Sequence, residues 1–356
     1  MDGRLRVGAC LSLSGKFARF GRQAALGLKA WQSLDGTAEL LIEDDRSDRR
    51  TLEAIFPDVA AHSDILLGPY STILTRTAGR AAADSDLLVW NHGGSGDDVQ
   101  QAHPGHVISV LTPASRYAAP FIRYLADDDD RPRQLCVVHC PGKFGQQAAD
   151  GAAMTAAQLG IAAVRARPDG FPPRGLSRPW DLFSAGVFEQ DAELASRALA
   201  LPDPPRRLCT VSAGVREFAR AAGDPEGVFG IAQWFPGSKQ EVLLGPGEEE
   251  FLRACTAAGG DMPDYPAVQA AAGAVIAAYC AKLAQSSGRE DLWAAAASLD
   301  TSTLFGGFRI DPVSGVQIRH DTVLVQWTNG EPRAIPGKPR RAGQGNSPGR
   351  RGSASG

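Results

Sequence analysis

Over the first 125 residues, short unbroken runs of large apolar side chains alternate with longer Ala-rich stretches of helical period. Residues 4–13 (RLRVGACLSL) read as a strand and 20–34 as a helix. Residues 38–45 (AELLIEDD) are a second strand and 49–62 a helix. DILLGPY (64–70) and LLVWNHG (87–93) are further strands on either side of a helix at 74–85. Apolar positions recurring every three to four residues mark the helices; continuous apolar runs bounded by Gly, Asp and Ser mark the strands. Strand and helix alternating in this way imply right-handed βαβ crossovers and a parallel sheet. Strands without polar alternation imply helices on both of its faces.

A strand at 107–111 and a helix then lead through a charged turn into QLCVVHC (134–140), and the rhythm restarts. Helices at 145–160 and 191–201 alternate with strands at 181–188 and 206–214, which marks a second α/β lobe rather than one large sheet. The segment 160–181, rich in Pro, Gly and Arg, reads as an irregular surface loop. Helices at 247–260, 267–285 and 291–299 follow. The chain then closes in antiparallel strands around DPVSG and TNGE. The fold class expected is α/β, two Rossmann-like lobes with parallel sheets. The expected boundaries are 1–116 plus 240–312 for the first lobe and 117–239 plus 313–336 for the second, with 337–356 a disordered basic tail.

Composition narrows the function classes. The 37 Lys and Arg against 40 Asp and Glu leave a net charge of -3, so no overall basic field is offered to nucleic acid, and no nucleic-acid partner is expected. No stretch approaches the ~20 uninterrupted apolar residues of a membrane span. Arg4 and Arg6 before the run 7–15 imitate a stunted signal peptide, and Val7-Gly8-Ala9-Cys10 a lipoprotein cleavage box. Cleavage at Cys10 would destroy the first strand, so the strand reading is preferred. As written the chain reads as cytoplasmic, and as periplasmic or extracellular if its N-terminus is incomplete. Six cysteines at 10, 136, 140, 209, 255 and 280 show no disulfide spacing and read as buried thiols.

Chemistry concentrates in three strand-to-helix turns, LSLSGKFARFG (11–21), GPYSTILT (68–75) and NHGGSGDD (91–98). In an open α/β sheet ligands bind at the carboxyl ends of the strands, so these turns should share one rim. Ser71 and Thr72 stand where a helix begins, an anion seat built from free N–H groups, the helix dipole and two hydroxyls. Gly94 and Ser95 offer close backbone approach and a hydroxyl. The plainer reading is that Ser71, Thr72 and Ser95 only cap helices. The phosphate loop, the dinucleotide fingerprint and the G-x-S-x-G elbow are missing. HGGSG at 92–96 imitates a hydrolase oxyanion loop without a paired nucleophile, so a small-molecule hydrolase using Ser95 or Ser14 is the enzyme alternative. His92, His103 and His106 read as ordinary surface histidines, and no metal, cofactor or catalytic residue is expected.

The ordered series of LSLSGKFARFG, IEDD, DILLGPYST and NHGGS, then KFGQQAADG, SAGVFEQD, VSAGVREF and GVFGIAQWFPG, resembles type I periplasmic solute-binding proteins. The branch is the leucine/isoleucine/valine-binding one that feeds ABC transporters, and the likeness runs from residue 5 to about 335. The resemblance implies a multi-strand hinge between the lobes and a small polar ligand (amino acid, amide or related carboxylate) held as they close. An ABC-transporter permease is the implied partner, and no enzyme activity is implied. The alternative within the resemblance is a cytoplasmic ligand-sensing regulator of the amide-binding type.

Carried onto this sequence, Ser71 and Thr72 match the turn that holds a ligand carboxylate, and Gly94 and Ser95 match a carbonyl and a hydroxyl that grip polar atoms. Ser14 lies in the first such turn. Phe20 falls on the first cleft wall, Phe144 and Phe188 on the opposing one, and Trp234 faces the cleft or plugs the hinge. The turn at Ser212-Ala213-Gly214 lacks the acid that neutralises a ligand ammonium in α-amino-acid binders. Glu189, Asp191 or Glu217 would have to serve instead; otherwise the ligand is an amide, a urea-like solute or a carboxylate without an amine.

Overall fold

The computed structural model describes residues 4–128, 130, 134–237, 241–259 and 262–336, so the basic tail expected at 337–356 lies outside the described residues. The first sheet is formed by β1 (Leu5–Leu11), β2 (Ala38–Asp44), β3 (Ile65–Leu67), β4 (Val89–Asn91) and β5 (Val107–Ser109). Its order is β2-β1-β3-β4-β5, parallel throughout. Between these strands run α1 (Ala18–Asp35), α2 (Arg49–Ala61) and α3 (Thr72–Asp84). Both sheet faces carry apolar side chains, which is why the strands show no polar alternation. Cys10, Leu66 and Val89 pack against α2 and α3; Val7, Leu11, Ile65 and Trp90 pack on the other side with α1. Cys10 is buried in the middle of this sheet, as the strand reading of the N-terminal run requires.

The chain crosses to the second sheet after β5, through a short helical turn at Ala114–Arg116 and α4 (Ala119–Ala126). There follow β6 (Gln134–His139), α5 (Lys143–Gln158), β7 (Ala162–Ala166), β8 (Trp180–Ala185), α6 (Phe188–Leu199), β9 (Leu208–Thr210), α7 (Phe218–Ala222) and β10 (Phe229–Ala232). It then returns to the first lobe with α8 (Glu248–Ala257), α9 (Tyr265–Ala284), α10 (Arg289–Ser298) and a hairpin of β11 (Thr301–Thr303) and β12 (Gly306–Phe308). A third crossing brings β13 (Val323–Thr328) and β14 (Glu331–Ala334) onto β10, giving the order β14-β13-β10-β9-β8-β6-β7, with the β10–β13 and β13–β14 pairings antiparallel. Asn329 and Gly330, both at positive φ, make the tight turn that TNGE signalled.

Two readings need correction. Residues 160–181 are not wholly irregular: Ala162–Ala166 pairs in parallel with β6 along its length. This is an edge strand whose Ala and Arg side chains stay largely exposed, so it carries no apolar run to announce it. The absence of a membrane-length apolar stretch also needs qualifying, because α9 is long and apolar enough to cross a bilayer, although 72% of its apolar window is buried inside the protein. It lies between α1 and α10 and against β3 and β4, and a helix surrounded by core is apolar on every side.

The three crossings are tied together by buried polar side chains. The Gln233 amide donates to the Thr112 carbonyl and accepts from the Thr112 N–H, both at 3.1 Å, and donates to the Tyr117 hydroxyl at 2.6 Å. Thr112 Oγ1 meets His320 Nδ1 at 2.6 Å, while His320 Nε2 reaches the Phe305 carbonyl at 3.1 Å and its ring stacks on Phe305. One residue from each crossing (Thr112, Gln233, His320) thus shares a single network, the arrangement a hinge needs to bend without fraying.

Candidate functional site

The carboxyl ends of the strands in the two sheets face each other, and the turns beyond them interlock. Arg19, at the start of α1, reaches across to the second lobe. Its guanidinium lies 3.9 Å from the Phe188 ring centre, donates to Glu189 at 2.7 Å and stands 3.8 Å from Glu217. On the other side Asp98 meets Lys143 at 3.1 Å and Gln147 at 3.2 Å, and the Gln147 amide oxygen accepts the Asp97 N–H at 3.0 Å. Burial raises the carboxyl of Asp264, just before α9, to about 6, against the opposing pull of the Arg216 charge and backbone N–H from the second lobe.

Between these links lies an aromatic cluster. Phe20 stacks on Tyr70 with ring centres 4.3 Å apart and planes 8° from parallel, and the Tyr70 and Tyr265 hydroxyls stand 3.4 Å apart. Phe20 and Tyr265 also pack against the apolar cluster of the opposite lobe that contains Phe188 and Ala213. Tyr117, leading away from the hinge, accepts from the Gln233 amide, stands beside Ser95 and meets Phe144 edge-on at 5.7 Å. Burial raises all three tyrosines above the ordinary phenol range, so they are neutral donors and acceptors at any physiological pH.

The residues singled out from sequence divide into two groups. Phe20, Ser95, Phe144, Phe188 and Glu189 come together where the lobes meet, joined by Tyr70, Tyr117, Tyr265 and Arg19. Ser71 and Thr72 form the start of α3 in the same lobe. Ser71 sits at φ 90°, ψ 146°, a conformation costly for any side chain but Gly, accepts the Leu74 N–H as a helix cap, and donates its own N–H to Gly93 at 3.0 Å. Thr72 Oγ1 accepts the Gly96 N–H at 3.0 Å, stitching the second and third turns together.

The other group bonds or packs within one lobe. The Ser14 hydroxyl donates to Asp44 at 2.7 Å. The Gly94 N–H and carbonyl are both taken by Asn91 at 2.7 Å, and a Cβ at Gly94 would strike Thr75. The Ala213 N–H donates to Thr210 and its carbonyl accepts from Trp327. Trp234 is 2% exposed and packs into the first lobe's core, its indole N–H buried without a partner. Asp191, one of the acids considered for an ammonium, is fully buried and held by the Ser184 hydroxyl at 2.6 Å and the Ser212 N–H at 3.0 Å. His92 is not on the surface: it is 1% exposed, and burial pushes it down to about 4. The Arg19, Tyr117, Tyr265 and Arg216 contributions went unread in the sequence because each is a single polar or aromatic residue in a helix or connection whose partners lie on other elements, 170 positions away for Arg19 and 195 for Tyr265.

Two hollows of about 630 and 1100 Å³ are lined only by first-lobe residues, one around Lys16, Arg49 and Arg80 and the other around Arg6, Trp31 and Tyr279. Neither touches the interlobe cluster, where side chains from both lobes meet at hydrogen-bond distance.

The architecture has close counterparts among solved structures. A leucine-binding protein, LivK, from Thermotoga maritima superposes with a TM-score of 0.79 at 14% identity, covering 93% of this chain and 98% of that one. An ABC-transporter substrate-binding protein from Desulfitobacterium hafniense in complex with leucine matches at 0.78 and 16%, covering 93% and 99%. An ABC-transporter solute-binding protein from R. palustris in complex with 4-hydroxybenzoate matches at 0.78 and 15%, covering 93% and 96%. The chain has the type I periplasmic-binding-protein fold. No family model matches the sequence, and no curated protein does. In the type I fold the place where this chain gathers its tyrosines, Arg19 and Phe188 is the crevice at the carboxyl ends of two parallel sheets, the position where open α/β sheets bind ligands.

Proposed function

We propose that this chain is a solute-binding protein that captures a small polar ligand between two closing lobes and releases it unchanged, as the substrate-binding component of an ABC transporter. One observation carries the reading: polar and aromatic side chains of both lobes converge on one interlobe crevice while three chain crossings meet in a hinge network. A ligand seated there would be desolvated on closure, and its affinity would rest on hydrogen bonds from both sides. The leucine-binding protein from T. maritima and the substrate-binding protein from D. hafniense in complex with leucine, both of like fold, support the same use.

The hydrolase alternative is disfavoured by the surroundings of its nucleophiles. Ser14 is bonded to Asp44 and Ser47, and Ser95 stands beside Tyr117, with no histidine among these neighbours. A thermal-shift screen of amino acids, amides, ureas and small carboxylates tests the proposal. A true ligand at 100 times its Kd adds about 2.7 kcal/mol to stability, so at least one class should raise Tm saturably. Ser95→Ala should weaken that ligand's binding with no turnover in either protein. A flat response to the whole panel would contradict the reading.

A further inference from the structure

The acids that face the crevice all have cations or N–H donors belonging to the chain itself. Glu189 and Glu217 are both approached by Arg19; they lie at the rim, with side chains 68% and 45% exposed. Asp264 is buried within the field of the Arg216 charge and backbone N–H. Asp97 accepts the Ser115 N–H at 3.0 Å, and Asp98 is held by Arg76 at 3.0 Å, Lys143 and Gln147. Asp191 is closed off inside the second lobe. The unsatisfied polar atoms are of the opposite kind. Arg19 Nη1 is buried with no hydrogen-bond acceptor, its 3.8 Å approach to Glu217 being too long, and Arg216 Nε is likewise buried without an acceptor. A buried guanidinium N–H without an acceptor carries a desolvation cost that an anionic guest would relieve.

Resting on the solute-binding reading, we propose that Arg19 is the specificity-determining residue of the crevice: it takes the place a ligand ammonium would need and selects carboxylates that lack an amine. A zwitterionic α-amino acid would bring a third cation beside Arg19 and Arg216, and Arg19 already occupies the approach to Glu189 and Glu217. The desamino acid of the same skeleton brings only the acceptor these donors need, with the stacked Phe20 and Tyr70 rings as an apolar wall.

Matched pairs isolate the ammonium: 4-methylpentanoate against leucine, 3-phenylpropanoate against phenylalanine, and glutarate against glutamate, titrated calorimetrically into the full chain. For the pair that fits the crevice, the desamino member should bind more tightly by at least about tenfold, the scale at which an unmatched polar group is rejected. Arg19→Met frees Glu189 and Glu217 and should move the ratio toward the amino acid by about the same factor, whereas Arg19→Lys, which keeps the charge, should leave the preference on the desamino side. Circular dichroism melts of both variants confirm that they fold. Equal or tighter binding of the amino acid in the unaltered protein, or a ratio indifferent to Arg19→Met, overturns the assignment of Arg19 alone. The same holds if no pair member binds while the thermal-shift panel finds an amide or urea. Silence in both experiments overturns the solute-binding reading together with the inference.

Discussion

At the residue scale the chain is governed by where single polar groups find partners once the lobes are closed. His320 is the clearest case. Buried at the hinge between Thr112, Phe305 and the neighbouring Arg116, it is pushed down to about 4, with desolvation the main cause. The unfolded chain therefore takes up a proton first, near pH 6.5, so the stability this group contributes is complete above about 6.5 and is lost as pH falls toward about 4. Asp191 and Asp264, raised to about 6 by burial, act with the opposite sign: they favour the folded state as pH falls through about 6 toward about 4. The histidine must thus be tested by difference. His320→Gln should be less stable than the unaltered chain at neutral pH, and the gap in urea-unfolding free energy should shrink by about 2 kcal/mol by about pH 4.5. A gap that does not change with pH would show that His320 is not held neutral.

The same scale explains what could be read beforehand. Ser71 and Thr72 announce a helix start because capping is local chemistry, settled within four residues. Arg19 stands in the turn at 11–21, yet its role depends on Glu189, 170 positions away, and no local pattern encodes that.

At the element scale, most strands of the two sheets and most helices were legible because burial on two faces leaves an unmistakable apolar run. What escaped did so for physical reasons. The edge strand Ala162–Ala166 buries too little to need large side chains, and α9 is apolar on every side because it is surrounded rather than lipid-facing. Packing between elements is set by glycines as much as by large residues. Gly151 lets α5 touch the turn at Ala114–Arg116 so closely that a Cβ there would come within 1.8 Å of the Ser115 carbonyl. Because that turn carries the chain from the hinge to Tyr117, Gly151→Ala should cost about 1–3 kcal/mol in stability through overpacking. It should also weaken solute binding by displacing Tyr117. Unchanged unfolding free energy and unchanged affinity would mean that the contact yields more easily than its geometry implies.

At the scale of the whole molecule, two α/β lobes meet through ion pairs, an aromatic cluster and three chain crossings joined by Thr112, Gln233 and His320. Such an interface is polar enough to open and complementary enough to close, and a guest that binds both halves shifts the balance toward closure by its differential affinity. All six cysteines are buried, so introduced surface cysteines can be labelled selectively. Ile73 at the start of α3 and Val187 just before α6 are both exposed, one on each lobe, and serve as label sites. The direct measurement is the spin–spin distance between nitroxides at Ile73→Cys and Val187→Cys, with and without the solute that raises Tm. Capture by closure predicts a broad, longer distribution without solute that shortens and narrows at saturation. A distribution unmoved by a solute that demonstrably binds would contradict it.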